Sequence, residues 1–199
     1  MKKRLKGNTS VLPVLPVVLV TSVGKKGKPN IITLGAVAHM SVKPPIIGVG
    51  IYPSRHSYGL IEETGDFVVN FPTQELLWET DYIGTGPSGE NIDKFEATGL
   101  TPLKSIKVKS PIIEECPLNL ECILKQKLTI GAPKSHDWFI GEVVATHVDE
   151  NILNEKGEID LKKAPMIIYS GWSWEYWSIG KRLDSDAFSR GTPKPVRKP

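Results

Sequence analysis

The residues best suited to chemistry in this chain stand together at Ser54-Arg55-His56-Ser57, between an apolar strand and a short helix. The strand is Ile46 to Ile51, Pro53 marks the turn, and the helix runs to Gly65. Ser54 is expected to cap that helix, its hydroxyl accepting a free backbone N–H of the first turn. Gly65 suits the left-handed residue that ends one. A helix start presents unpaired N–H groups and partial positive charge, so it can seat a phosphate. A guanidinium, an imidazole and a hydroxyl at the same place make the stretch a candidate anion site. A capped surface helix with a solvated Arg55 fits the same residues, and only the flanking chain separates the two readings.

The flanks read as strands. Val17 to Val23 is short and β-branched, the pattern of a buried strand. The Gly- and Lys-rich turn Gly24 to Asn30 predicts a hairpin with Ile31 to Ala38, whose second half is small enough for close backbone approach. Ser41 to Pro45 is a stiff connection, and Phe67 to Phe71 is another buried strand. Thr73 and Ser88 are expected to cap two helical segments, with Leu76, Leu77 and Tyr82 packing in the first and Ile92 and Phe95 sharing a face in the second. From Leu118 to Ile130 apolar residues alternate with polar ones, predicting a strand with Leu118, Leu120, Cys122, Leu124, Leu128 and Ile130 on its buried face. Trp138 to Val148 and Pro165 to Tyr169 follow as strands, with a tight turn at Asn154 to Gly157. Such spacing predicts a closed or nearly closed antiparallel barrel, with the helical stretch covering one mouth.

A chain of 199 residues, 40% hydrophobic, can build one core without disulfides. Its two cysteines, Cys116 and Cys122, are too few for a framework, and Cys122 reads as a core thiol. A reducing, cytoplasmic home follows as the expectation. The apolar stretch Val11 to Val20 is short and is broken by Pro13 and Pro16, so neither a membrane span nor a signal peptide is expected. The net charge of +3 belongs to the ends: residues 7–180 hold 15 basic and 20 acidic residues, or −5. That balance argues against a nucleic-acid partner. His39, His56, His136 and His147 are scattered, which disfavours a metal site. No dinucleotide glycine fingerprint or phosphate-binding loop is present. Tyr169, Trp172, Trp174, Tyr176 and Trp177 crowd nine positions, as a ligand wall, a subunit contact or a local core would. Residues 1–184 are expected to form one domain and 185–199 a basic, Pro-rich arm, extended or disordered.

Taken in order, Thr21-Ser22, the turn to Asn30, Thr33 to Val37, Ser41 with Pro44-Pro45, Val49-Gly50-Ile51, Ser54 to Tyr58 and Glu63 to Asn70 resemble the flavin reductase-like FMN-binding family, which includes flavoredoxin-type proteins. The resemblance runs from Val17 to Pro72 and continues more weakly through His136 and Gly141-Glu142-Val143. It implies a mainly β fold, a split β-barrel (antiparallel, Greek-key) with a few short helices, usually a homodimer holding FMN non-covalently near the subunit boundary. It implies that Arg55, Ser57 and the Asn30 to Thr33 region grip the flavin phosphate, and that Leu34, Gly35, Ala36 and Val37 lie along the ring, with Ser41 near its reactive part. His56, Tyr58 and His136 complete the implied cofactor-binding set. No protein side chain is expected as a catalytic acid or base.

The implied activity is hydride or electron transfer from NAD(P)H to flavin and on to an acceptor. An electron carrier reduced by a protein donor is the alternative, because Lys134-Ser135-His136 stands where many relatives carry Gly-Asp-His. A non-redox barrel with basic arms is the third reading, and the −5 of residues 7–180 weighs against it.

Overall fold

Two residues, Gly35 and Ala36, decide the architecture. The structure is a computed structural model and describes residues 12–183. Its strands are β1 (Leu15–Pro16), β2 (Val18–Val23), β3 (Pro29–Leu34), β4 (Val37–Ser41), β5 (Ile46–Ile51) and β6 (Asp66–Phe71). There follow β7 (Pro102–Leu103), β8 (Ile112–Ile113), β9 (Leu118–Thr129), β10 (Asp137–Val148), β11 (Ile167–Ser170) and β12 (Glu175–Ser178). The helices are α1 (His56–Thr64), α2 (Leu77–Thr85) and α3 (Lys94–Thr98). Seven strands form one antiparallel sheet in the order β3-β2-β6-β9-β10-β5-β4. Consecutive strands β3 and β4 thus occupy opposite edges, yet only Gly35 and Ala36 join them.

Three peptide steps reach roughly 11 Å at most, whereas seven strands laid flat would span about 29 Å at about 4.8 Å per gap. The sheet must therefore curl until its edges meet. They do: β3 touches β5, and the Gly50 N–H donates to the Ala36 carbonyl at 2.8 Å. Ile31 to Ala38 is accordingly two strands bent at Gly35-Ala36, where the alternation alone predicts one.

Inside the curl, alternate residues of β2, β3, β5 and β6 (Val18, Val20, Ile32, Leu34, Val49, Ile51, Phe67, Val69) pack with Ile61 of α1 and Phe139 of β10. The opposite face of β2 and β3 is covered too, because Leu19 and Ile31 pack on Ile83 of α2 and Phe95 of α3. Burial on both faces explains why these strands read as continuous β-branched runs.

Helix caps differ from expectation. Arg55, not Ser54, is the N-cap of α1 and makes no side-chain cap bond, while Gly65 ends the helix at φ 73°. Thr73 stands at the start of a 3-10 turn without capping it. Ser88 starts no helix: Asp93 caps α3, accepting from the backbone N–H groups of Phe95 and Glu96 at 3.0 and 3.2 Å. Leu77 is exposed, and Thr80 and Ile83 are the buried residues of α2.

The expected face of β9 holds only to Leu124. A register shift against β10 adds Lys125 as an extra residue between the pairs Leu124–Gly141 and Gln126–Ile140. One added residue exchanges the two faces of a strand, so Leu128 turns outward and Ile130, beyond the strand, is exposed. On the other face of β9, Asn119 and Glu121 are buried rather than solvated.

Glu121 receives the backbone N–H groups of Ile106, Lys107 and Val108 at 2.9, 2.7 and 3.2 Å and the Nε2 of His147 at 2.6 Å. Burial alone would raise its pKa, but these donors outweigh burial and hold the carboxyl below its ordinary range. Its contribution is complete above the unfolded value of about 4.3 and is lost as pH falls through the lower folded value. Glu121→Gln should destabilise the protein by roughly 1.5–3 kcal/mol at neutral pH, the range for charge-assisted bonds. Denaturant titration should also show a flatter loss of stability on acidification; an unchanged midpoint at pH 7 would mean that the charge holds nothing.

Candidate functional site

Where the sheet edges meet, a cavity of about 250 Å³ opens between β3, the end of β5, the start of α1 and the segment from α2 to Lys94. Nine of the twelve residues singled out from the sequence line it: Asn30, Thr33, Leu34, Gly35, Ala36, Arg55, His56, Ser57 and His136. Val37 packs against the core and Ser41 lies at the far end of β4, both outside the lining.

Tyr58 is outside as well. Its hydroxyl donates to Asp137 Oδ2 at 2.6 Å and accepts from Lys127 Nζ at 2.9 Å, while its ring stands edge-on to Phe139 at 4.9 Å. Burial, then the Asp137 bond, raises its pKa. Tyr58 thereby ties α1 to the start of β10, next to His136.

The polar lining is arranged to donate. Asn30 Nδ2 donates to Ser57 Oγ at 2.8 Å in full burial. With its oxygen accepting, the Ser57 hydroxyl keeps its proton for another acceptor. The first turn of α1 adds its backbone N–H groups. Arg55 is exposed at the cavity rim and forms no ion pair among the described residues. His56 Nδ1 faces Glu90 Oε1 at 3.4 Å.

Thr33 Oγ1 donates to the Thr80 carbonyl at 2.6 Å, so that residue's proton holds α2 against β3. His136 packs against Tyr52, ring centroids 3.8 Å apart and planes tilted by 38°, and burial followed by the Arg55 charge lowers its pKa.

Sequence reasoning missed two parts of this wall. Lys94 is buried, lines the cavity and donates from Nζ to the Ile83 carbonyl at 2.7 Å. Burial, and after it the charge of Arg55, pushes its pKa down to about 8. The signal available was an Asp93 cap followed by a lysine between the apolar Ile92 and Phe95. The second part is the loop Gly86-Pro87-Ser88-Gly89, which closes the cavity from the α2 side. A Cβ on Gly89 would overlap Asn30 Oδ1, so only glycine lets the loop close without displacing the partner of Ser57.

The donor set fits a ligand with an anionic end and a flat body. Arg55, Lys94 and the helix start supply positive charge, His56 adds an imidazole, and Leu34, Gly35 and Ala36 supply a wall of backbone and small side chains. Among the described residues no cluster of His, Cys, Asp and Glu could hold a metal ion, and no helix is long and apolar enough to cross a membrane.

Comparison with known proteins agrees with this geometry. Residues 14–171 match the model of the flavin reductase like domain. A protein of Archaeoglobus fulgidus with no assigned function is 42% identical over 123 residues, 61% of this chain and 67% of its own. Flavoredoxin of Desulfovibrio vulgaris (Miyazaki F) superposes with a TM-score of 0.87 at 33% identity, covering 96% of this chain and 100% of its own. Flavoredoxin from Methanosarcina acetivorans does so with a TM-score of 0.84 at 32% identity, covering 96% and 98%.

Proposed function

The chain belongs to the flavin reductase-like family, its curled sheet is the split barrel of that family, and from this premise we propose that the cavity seats FMN non-covalently in an oxidoreductase. The observation that carries the reading is the Asn30–Ser57 bond beside Arg55, buried under Gly89 at a helix start. That grouping brings a hydroxyl, a guanidinium and a helix start to the lining of one cavity, the kinds of group a phosphate monoester requires. Thr33 keeps the α2 wall in place, and the backbone of Leu34 to Ala36 lies where a flat ring could rest. A bound flavin supplies the redox chemistry, taking up a hydride or electrons and releasing them to an acceptor. Lys94 lines the same cavity, and an anion bound there would favour its charged form, opposing the burial and the Arg55 charge that lower its pKa. Orientation and exclusion of water are then the protein's share, and no side chain is required as acid or base.

NAD(P)H is the donor in the reading we favour. The second reading, an electron carrier served by a protein donor, is supported by the Tyr52 ring lying over His136, which leaves that imidazole less accessible to a nicotinamide. The buried free thiols Cys116 and Cys122, their pKa values raised chiefly by burial, accord with a reducing compartment such as the cytoplasm.

We also propose that a second copy of the chain covers the sheet formed by β1, β11 and β12. Trp172, Trp174 and Trp177 there are 54%, 79% and 58% exposed, so the local-core reading of this cluster does not hold. Covering an aromatic side chain removes about 150–250 Å² from water, at roughly 25 cal/mol per Å².

The purified protein should take up FMN in a fluorescence titration, and Arg55→Ala should weaken that binding by about 1.5–3 kcal/mol; equal affinity in the variant would remove Arg55 from the site. Mixed anaerobically with NADH or NADPH, the FMN-loaded protein should lose its visible flavin absorbance. Persistence of the colour with both, and its rapid loss with a low-potential protein donor, would select the carrier instead. Sedimentation at micromolar concentration should give a dimer that Trp177→Glu dissociates, and a monomeric wild type would end the dimer proposal.

A further inference from the structure

Away from the cavity, α2 carries an aromatic face that nothing in the fold covers. The helix turns Thr80 and Ile83 into the core and leaves Trp78, Asp81, Tyr82 and Thr85, at i, i+3, i+4 and i+7, on its opposite side. The Trp78 and Tyr82 rings lie nearly parallel, their planes 12° apart and their centroids 5.1 Å apart, and Trp78 is 61% exposed. Leu77 beside them is exposed too. Charge here has one sign: residues 73–85 hold Glu75, Glu79 and Asp81 and no lysine or arginine. None of the three carboxylates forms an ion pair among the described residues, and Glu79 Oε2 is buried without a hydrogen-bond partner there.

Strand β12 brings the rest of the chain to this face. Tyr176 donates to Asp81 Oδ1 at 3.1 Å and packs on Tyr169, ring centroids 5.1 Å apart, so β12 lies against α2. Trp177, the next residue of the strand, points to the opposite side, the face proposed above for a second copy. Residues 184–199 lie outside the described residues; their sequence sets Arg190, Lys194, Arg197 and Lys198 against Asp184 and Asp186, with Pro193, Pro195 and Pro199 interspersed. Prolines so spaced favour a polyproline II backbone. Aromatic surfaces recognise that backbone by packing against proline rings, while lysine and arginine pair with carboxylates or lie over an indole. Fifteen positions separate Ser178 from Pro193, a reach of up to about 50 Å, against roughly 14 Å for the nine residues of α2. Tethering also holds such a segment at an effective concentration on the order of millimolar, so individually weak contacts are enough.

We propose that Pro193 to Lys198 docks on the outer face of α2 of its own chain, its prolines against Trp78 and Tyr82 and its bases among Glu75, Glu79 and Asp81. Thr33 bonds the other side of α2, and the loop after that helix closes the cavity, so the docked segment braces a cavity wall from outside.

Zero-length cross-linking of amines to carboxylates tests this on the full-length protein, as a mixture of unlabelled and nitrogen-15-labelled chains mapped by mass spectrometry. Lys194 or Lys198 should join Glu75, Glu79 or Asp81 within one isotopic species. The yield should fall at least about fivefold in Trp78→Gln and in Pro193→Gly/Pro195→Gly, as expected when a tethered contact is lost. The second variant changes only residues outside the described fold, so misfolding cannot produce its loss; in it the amides of α2 should also exchange hydrogen faster. Cross-links spread over acidic residues elsewhere, or a yield on α2 that neither variant lowers, would overturn the docking. Links that join labelled to unlabelled chains would place the segment on a second copy and overturn it as well.

Discussion

The shortness of the link between β3 and β4 is the constraint on which this molecule depends. Two residues cannot cross a flat seven-stranded sheet, so the sheet rolls, and the roll brings the end of β3 beside the end of β5. That seam is where the chain leaves β5 and starts α1. Anion-seating groups and a small-residue backbone therefore meet because of closure, although Asn30 and Ser57 are 27 residues apart in sequence. A Cβ on Gly50 would lie 2.9 Å from the Ala36 Cβ, so small residues at Ala36 and Gly50 serve closure, and both also line the cavity.

Around the seam, hydrogen bonds order the wall in layers. Asn30 orients Ser57, and Gly89 leaves room for Asn30. Thr33 fixes α2, and Lys94 satisfies the Ile83 carbonyl near the end of that helix. On the other side the half-buried Tyr58 joins α1 to Asp137 and packs edge-on against Phe139, tying the helix start that follows Arg55 to the strand start that follows His136. A ligand would meet a surface whose parts are already positioned, which lowers the ordering cost of binding.

Much of this was legible in the residues. Strand periodicity, the Gly- and Lys-rich hairpin turn and the left-handed Gly65 are local signals, and local rules decide them. The parts that escaped are set by contacts distant in sequence. The bend at Gly35-Ala36 looks like one strand until the sheet order is known. The reversal of faces after Lys125 depends on pairing with β10, which no alternation in β9 can register. Glu121 reads as a solvent-facing residue because its partners are backbone groups of a loop 13 to 15 residues earlier. Lys94 reads as a surface lysine because both the Ile83 carbonyl and the Arg55 charge that affect it come from other elements.

Summed charge misleads for a related reason. Residues 7–180 carry −5, which argues against binding a polyanion, yet the cavity at the seam and a neighbouring one that shares His56 and Gly89 with it are lined by Arg55, Lys94, Lys25, Lys26 and Lys28. Several acids are committed elsewhere: Glu121 and Asp66 are buried and accept the backbone N–H groups of residues 106–110, and Asp93 is spent on capping α3. A carboxylate surrounded by backbone donors has much of its field compensated locally, whereas a lysine rim open to water projects its field into the space a ligand must enter. Recognition is therefore governed by where charges are left uncompensated, and in this fold several acids are consumed in holding a loop while the bases are left at the seam.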